Sequence, residues 1–152
     1  MTYLIKKVLE HPDLVTQPPT LIDVGASGSL PKKWKVIAPY ATCIAFDADR
    51  REFNIQEPSN SKYKKLYLLN RLIAAKQSRT ADFYLTESPY CSSSLKPDKQ
   101  SLKPWAFNRL FEVKECVQMP SLTLFDALSK CGVSYIDWYK TDTQGTDLSI
   151  FD

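Results

Sequence analysis

Gly25 and Gly28 close a short apolar run of Leu21, Ile22 and Val24. A glycine pair there lets the backbone turn sharply and approach a ligand closely. Asp47 ends a second apolar run over residues 41–46, and a carboxylate at such a strand end accepts two hydrogen bonds from the hydroxyls of a ribose. Together they specify a nucleoside-bearing cofactor, either a dinucleotide or S-adenosylmethionine. A dinucleotide needs a GxGxxG turn at a helix N-terminus to hold its pyrophosphate. Here the glycines are Gly25 and Gly28 alone and Pro31 follows closely, which suits a turn around a methionine moiety that carries no phosphate. Lys140 and Asp142 form a further pair, two residues apart and so on one side of an extended chain. The ammonium holds the carboxylate ionised, either as a proton acceptor or as a structural ion pair.

Positioning these residues requires strands that end beside one another. Residues 20–24 read as a buried parallel strand entering a tight turn, and residues 41–46 and 135–141 as two more strands. Leu4, Ile5, Val8 and Leu9 have the spacing of a short helix ended before Pro12. Trp34 and Ile37 face inward from a helix over residues 32–37 that Pro39 terminates. Asp49 with Glu52 resembles a capping box, predicting a helix over residues 50–57 that ends at Pro58. Residues 66–75 and 81–86 predict a third strand and an antiparallel hairpin partner turned through residues 76–80. Residues 88–104, rich in proline, serine and lysine, predict a loop that covers something or moves. Leu124, Phe125, Leu128 and Cys131, with Thr123 before them and Gly132 after, predict a helix over residues 124–131. Leu148, Ile150 and Phe151 begin another. The alternation argues for an α/β, doubly wound, mostly parallel sheet with an antiparallel hairpin partner, binding ligands at the carboxyl ends of its strands. Residues 1–19 stand before it as an N-terminal helix and linker, and residues 20–152 form the domain.

Three segments resemble the FkbM-type methyltransferases of the class I S-adenosylmethionine-dependent group. They are Leu21-Ile22-Asp23-Val24-Gly25-Ala26-Ser27-Gly28, then Ala45-Phe46-Asp47-Ala48-Asp49, and most specifically Asp137-Trp138-Tyr139-Lys140-Thr141-Asp142-Thr143-Gln144-Gly145-Thr146-Asp147, which matches a Lys-x-Asp-x-Gln-Gly-x-Glu/Asp signature. Ser92-Ser93-Ser94-Leu95 is similar to the family's serine-leucine loop. The resemblance implies a Rossmann-like methyltransferase fold with S-adenosylmethionine as cofactor. It implies that Gly25, Ala26, Ser27 and Gly28 wrap the methionine end, that Asp23 orders the loop and that Asp47 holds the ribose. Ala48 or Asp49 would lie beside adenine, with a helix N-cap as the alternative role of Asp49. Methyl transfer is an in-line displacement from a sulfonium, so Asp142 becomes the candidate to take a hydroxyl acceptor's proton, held ionised by Lys140. Gln144 and Gly145 shape the following turn, and Asp147 favours the positive end of the next helix.

Two departures are visible. Ser29 stands where related sequences often carry glycine. The implied sheet has seven strands, so the chain reads as the N-terminal part of such a domain, incomplete after strand four. With an implied order of 3-2-1-4, that strand is an open edge through which the chain self-associates. The expected activity is methyl transfer to a hydroxyl of a small-molecule, sugar or glycan acceptor. The alternatives are an inactive remnant that at most binds a nucleoside and, less favoured by a single GxxG, an NAD-dependent oxidoreductase.

Composition excludes other classes. Lys and Arg total 20 against 17 Asp and Glu, a net charge of +3, too small a surplus to argue for a nucleic-acid partner. No apolar run approaches the ~20 residues of a spanning helix, so no membrane partner and a cytoplasmic location are expected. Cys43, Cys91, Cys116 and Cys131 lack a CxxC pair and His11 is the sole histidine, so no metal site is expected and the thiols read as free, buried or half-buried. Trp34, Trp105 and Trp138 read as core or half-buried packing. Lys96, Lys99 and Lys103 read as a solvated face.

Overall fold

The structure is a computed structural model that describes residues 2–51, 53 and 61–151. Two short helices, α1 (Thr2–Leu9) and α2 (Pro12–Thr16), precede the first strand. The chain does not stop its helices before Pro12. Proline at a first helical position loses nothing, because its N–H would have no helical partner there, and the His11 ring accepts the Asp13 N–H at 3.4 Å. The only histidine is thus a helix cap.

Strands β1 (Thr20–Val24), β2 (Thr42–Phe46), β3 (Lys65–Leu69) and β7 (Trp138–Thr141) form one sheet in the order β3-β2-β1-β7, parallel at every pairing. Chain order in this sheet is therefore 3-2-1-4. β1 is buried along its whole length, as a parallel strand covered on both faces must be. Alternation along the strands divides the core. Ile22, Val24, Ile44 and Phe46 pack with Ile73, with Ala127 and Leu128 of α4 (Leu124–Lys130) and with Ile150 of α5 (Asp147–Phe151). Leu21 and Cys43 pack on the opposite face with Trp34, Ala41 and Leu66. Burial pushes the Cys43 thiol up to about 12.

A second, mixed sheet has the order β4-β6-β5, with β4 (Leu72–Ile73) parallel to β6 (Val113–Leu122) and β5 (Ser78–Thr86) antiparallel to it. The expected hairpin between residues 66–75 and 81–86 does not form. Asn70 divides the first of these segments, its side-chain amide donating to the Asp47 carbonyl at 2.7 Å and to that of Ala48 at 3.3 Å. β3 stays in the parallel sheet, the chain leaves it at Asn70, and β5 finds its antiparallel partner in β6, with Phe83 opposite Val117.

The segment expected to be a helix over residues 32–37 winds as two 3₁₀ turns, Lys32–Val36 and Ala38–Tyr40. Pro31 and Pro39 confine it, and Trp34 is buried as expected. The helix expected over residues 50–57 falls largely outside the described residues. α4 starts as its sequence predicts, the Thr123 hydroxyl accepting the Asp126 N–H at 3.1 Å, and Gly132 follows its C-cap at φ +68°. The loop over residues 88–104 contains a 3₁₀ turn, Pro89–Cys91, and the short helix α3 (Lys99–Leu102). Cys116 on β6 is exposed, against expectation, because β5 and β6 keep one face in solvent. Trp105 is likewise exposed and Trp138 only partly covered.

Candidate functional site

The β1 turn lies directly against the ends of both neighbouring strands. Gly25 and Ala26 each donate an N–H to the Phe46 carbonyl at 2.9 Å, fastening the turn to β2 one residue before Asp47. On the other side the Asp142 N–H donates to the Val24 carbonyl at 2.9 Å. Gly25 has φ +76°, and a Cβ there would meet the Asp142 carbonyl oxygen at 2.1 Å. A glycine is therefore required by close approach as well as by backbone angle.

A cleft opens at these carboxyl ends. Gly25, Ser27, Asp47, Ala48 and Asp142 line it, with Arg71 beyond β3 and Pro89, Tyr90, Ser92 and Ser94 as its outer wall. Its interior holds about 50 Å³ of solvent behind a mouth of about 460 Å³. The loop expected to cover something thus forms one side of the cleft. Among the expected site residues, Asp23, Ala26, Gly28 and Lys140 do not line it. Asp23 and Ala26 are buried beneath the turn, and Gly28 abuts the Tyr90 hydroxyl.

Asp47 is buried, and both its oxygens are engaged. Oδ2 accepts the Ser27 hydroxyl at 2.7 Å and Oδ1 the Asp49 N–H at 2.8 Å. Burial raises its pKa, against the lowering effect of these two hydrogen bonds. Each oxygen keeps a second lone pair facing a cleft wall that the residue itself forms.

Lys140 does not pair with Asp142. Register places Lys140 opposite Asp23 on β1, and its ammonium stands 2.7 Å from Asp23 Oδ1 and donates to the Gly25 carbonyl at 3.0 Å. Asp23 is 1% exposed, and neither of its oxygens has a well-aligned hydrogen bond, so the contact to Lys140 is an ion pair at a poor donor angle. Burial raises the Asp23 pKa, and Lys140 opposes that shift. Lys140 is consequently a brace under the glycine turn, while the exposed Asp142 carboxylate accepts from the Gln144 side chain at 3.1 Å.

The signature turn after β7 is organised by Asp147, whose Oδ1 accepts the Thr141 hydroxyl at 2.8 Å and the Thr143 N–H at 2.9 Å. Its pKa is lowered, because these hydrogen bonds outweigh burial. Gln144 and Gly145 both have positive φ, at 58° and 114°, and so make the turn as expected. The serine-leucine segment is strapped onto it, the Ser93 hydroxyl donating to the Thr143 carbonyl at 2.9 Å.

Asp49 points away from the cleft lining. Oδ1 accepts the Arg51 N–H at 3.0 Å, as an N-cap does, and Oδ2 takes the Arg51 guanidinium at 2.6 Å and the Ser92 hydroxyl at 2.9 Å. Arg51 also donates to the Thr86 carbonyl at 2.8 Å. This network ties the β2 turn to β5 and to the cleft wall; Arg51 and Asn70 are its residues that sequence reasoning missed. Burial raises the Asp49 pKa, but the Arg51 and Ser92 hydrogen bonds outweigh it and the net shift is downward from 3.8. Its contribution to stability is therefore present above pH 3.8 and lost as pH falls through the folded value. Arg51→Ala is expected to cost on the order of 2 kcal/mol at neutral pH, less than a fully buried pair because the arginine is partly exposed, with Tm lower by about 4–8 °C. Thermal melts across pH check this, with the deficit shrinking in acid.

Comparison with family models, with curated proteins and with solved structures finds no match to this chain.

Proposed function

We propose that the chain carries the cofactor half of an S-adenosylmethionine-dependent methyltransferase of Rossmann-like fold that acts on a hydroxyl of a sugar or other small molecule. The observation that carries this reading is how the N–H groups of the glycine turn are used. Those of Gly25 and Ala26 go to Phe46, that of Ser29 goes to Ser27, and Pro31 has none. The segment that follows is a 3₁₀ turn. A pyrophosphate needs free N–H groups at a helix N-terminus, and this turn offers neither. What remains at the cleft is a buried carboxylate suited to ribose hydroxyls, beside a turn without phosphate-binding donors, and this favours a sulfonium nucleoside over a dinucleotide.

The sulfonium supplies the methyl group. Gly25 and Ser27 border the methionine end, Asp47 accepts from the ribose, and Ala48 lies toward the adenine. Asp142, at the cleft, accepts the proton of the acceptor hydroxyl. The cleft interior is smaller than the roughly 300 Å³ of small ligand sites, so a nucleoside enters with Tyr90 and the Pro89–Cys91 turn displaced outward.

Titration calorimetry with S-adenosylhomocysteine beside NADH tests this. Saturable binding of the first and none of the second is expected, and the reverse preference would overturn the reading in favour of a dinucleotide. Asp142→Asn is expected to leave S-adenosylhomocysteine affinity within about twofold and to lower methyl transfer to sugar hydroxyls by about 10²-fold or more. Equal loss of binding and turnover would remove Asp142 from the role of base.

A further inference from the structure

Trp105 is 57% exposed, Phe107 46% and Leu110 45%, and all three lie in one protrusion between α3 and β6. This exposure is built rather than loose. Asp98 caps α3 by accepting the Gln100 and Ser101 N–H groups. The Trp105 N–H bonds the Leu102 carbonyl, and the Leu110 N–H bonds that of Phe107, each at 3.0 Å. The base is sewn to the end of β5, Ser88 donating to the Leu110 carbonyl at 3.1 Å and Glu87 to that of Glu112 at 2.8 Å. The rings form a cluster, with Trp105 stacked on Phe107 at 5.6 Å and Phe107 tilted against Phe111 at 6.1 Å.

Cations surround the rings. Lys99, Lys103 and Arg109 line a hollow floored by Leu102 and Phe111, and none of the three makes an ion pair among the described residues. The nearby acids are occupied, Asp98 as the α3 cap and Glu112 by Lys114 at 3.5 Å. An ordered apolar tip ringed by uncompensated positive charge matches one environment chemically. Its rings fit the boundary between headgroups and acyl chains, and its cations fit anionic headgroups.

We propose that the protrusion over residues 95–112 seats this protein peripherally on an anionic lipid surface. A single-stranded nucleic acid, or a sugar stacking on a platform, needs a free ring face. Here Phe107 is engaged by Trp105 and by Phe111, so the cluster offers ring edges and a wedge instead. No helix among the described residues is long and apolar enough to cross a membrane, and a surface-seated loop requires none. The expectation of no membrane partner came from the absence of a spanning run, which says nothing of such a loop.

Cosedimentation of the full chain with vesicles of phosphatidylcholine alone, or mixed with phosphatidylserine, is the test. Binding is expected to the mixed vesicles only and to weaken with salt. The double variant Trp105→Ala, Phe107→Ala should lose tenfold or more of it. Lys99→Gln, Lys103→Gln, Arg109→Gln together should lose about 100-fold, at roughly fivefold per charge. Both sets are on exposed positions, and unchanged thermal melts would show that they fold. No binding of the parent to mixed vesicles, or binding that survives in both variants, overturns the proposal. Binding of a single-stranded oligonucleotide in place of vesicles, lost in the same variants, also overturns it.

Discussion

Gly25→Ala is expected to lower Tm by roughly 6–20 °C, corresponding to about 3–5 kcal/mol at the 2–4 °C per kcal/mol of a chain this size. Two effects add. A left-handed backbone costs an L-residue about 1–2 kcal/mol, and Gly25 has φ +76°. The new Cβ would also stand 2.1 Å from the Asp142 carbonyl oxygen and 3.0 Å from its carbon, both backbone atoms. Relief requires movement, and every partner resists it. The Gly25 N–H is bonded to Phe46, its carbonyl accepts from Lys140, and the Asp142 N–H is bonded to Val24. Separating them opens the β1–β7 ladder, and overpacking of this kind typically costs about 1–3 kcal/mol more. Gly132→Ala is the matched control, because φ there is +68° and nothing lies within 4 Å of its Cβ position. It should lose only the backbone component, about 1–2 kcal/mol or roughly 2–8 °C. Equal losses in the two variants would show that Gly25 and Asp142 are not in close approach.

The residues most legible in the sequence are those whose partners are local or whose strands are buried on both faces. Leu21, Ile22 and Val24, and Ile44 and Phe46, form unbroken apolar runs because parallel strands in mid-sheet have no wet face. α4 is legible because Thr123 and Gly132 mark its ends within one short segment. β6 is not, because Lys114, Glu115, Cys116 and Gln118 face solvent, Pro120 interrupts it and its partner β5 lies far back in the chain. The partner of Lys140 is the instructive error. Along a strand, side chains two apart are separated by about 6.6 Å, whereas a neighbouring strand is about 4.8 Å away. Given a choice of acids, Lys140 reaches across to Asp23, and only sheet register reveals that Asp23 is there. Arg51 is hidden for the same reason, since Thr86 and Ser92 come to it from distant parts of the chain.

Asp47→Asn is expected to stabilise the free protein while weakening S-adenosylhomocysteine binding tenfold to about 100-fold. The stability sign follows from burial, which raises the Asp47 carboxyl above its unfolded value of 3.8. A carboxyl with a raised folded pKa contributes stability below the unfolded value and loses it as pH climbs through the folded one. At neutral pH the wild-type chain therefore holds an ionised group that burial disfavours. Asparagine removes the charge but keeps the shape, and its carbonyl can still accept the Asp49 N–H. The Ser27 hydroxyl turns to accept from the new amide. Tm of the variant should therefore exceed that of the parent at pH 7, and the gap should close as pH falls toward 3.8. Asp23 has the same direction of shift but is present in both proteins, so the difference isolates Asp47. Binding moves the other way, because the amide replaces one charged acceptor and each hydrogen bond to a charged group contributes about 1.5–3 kcal/mol. A residue kept only for packing gains stability on this change without losing ligand. Gain in one measurement with loss in the other is the signature of a carboxylate held for binding. Calorimetric titration and melts on the same two proteins decide it, and a variant that is less stable yet binds as well as the parent would make Asp47 a structural acceptor for Ser27 and Asp49.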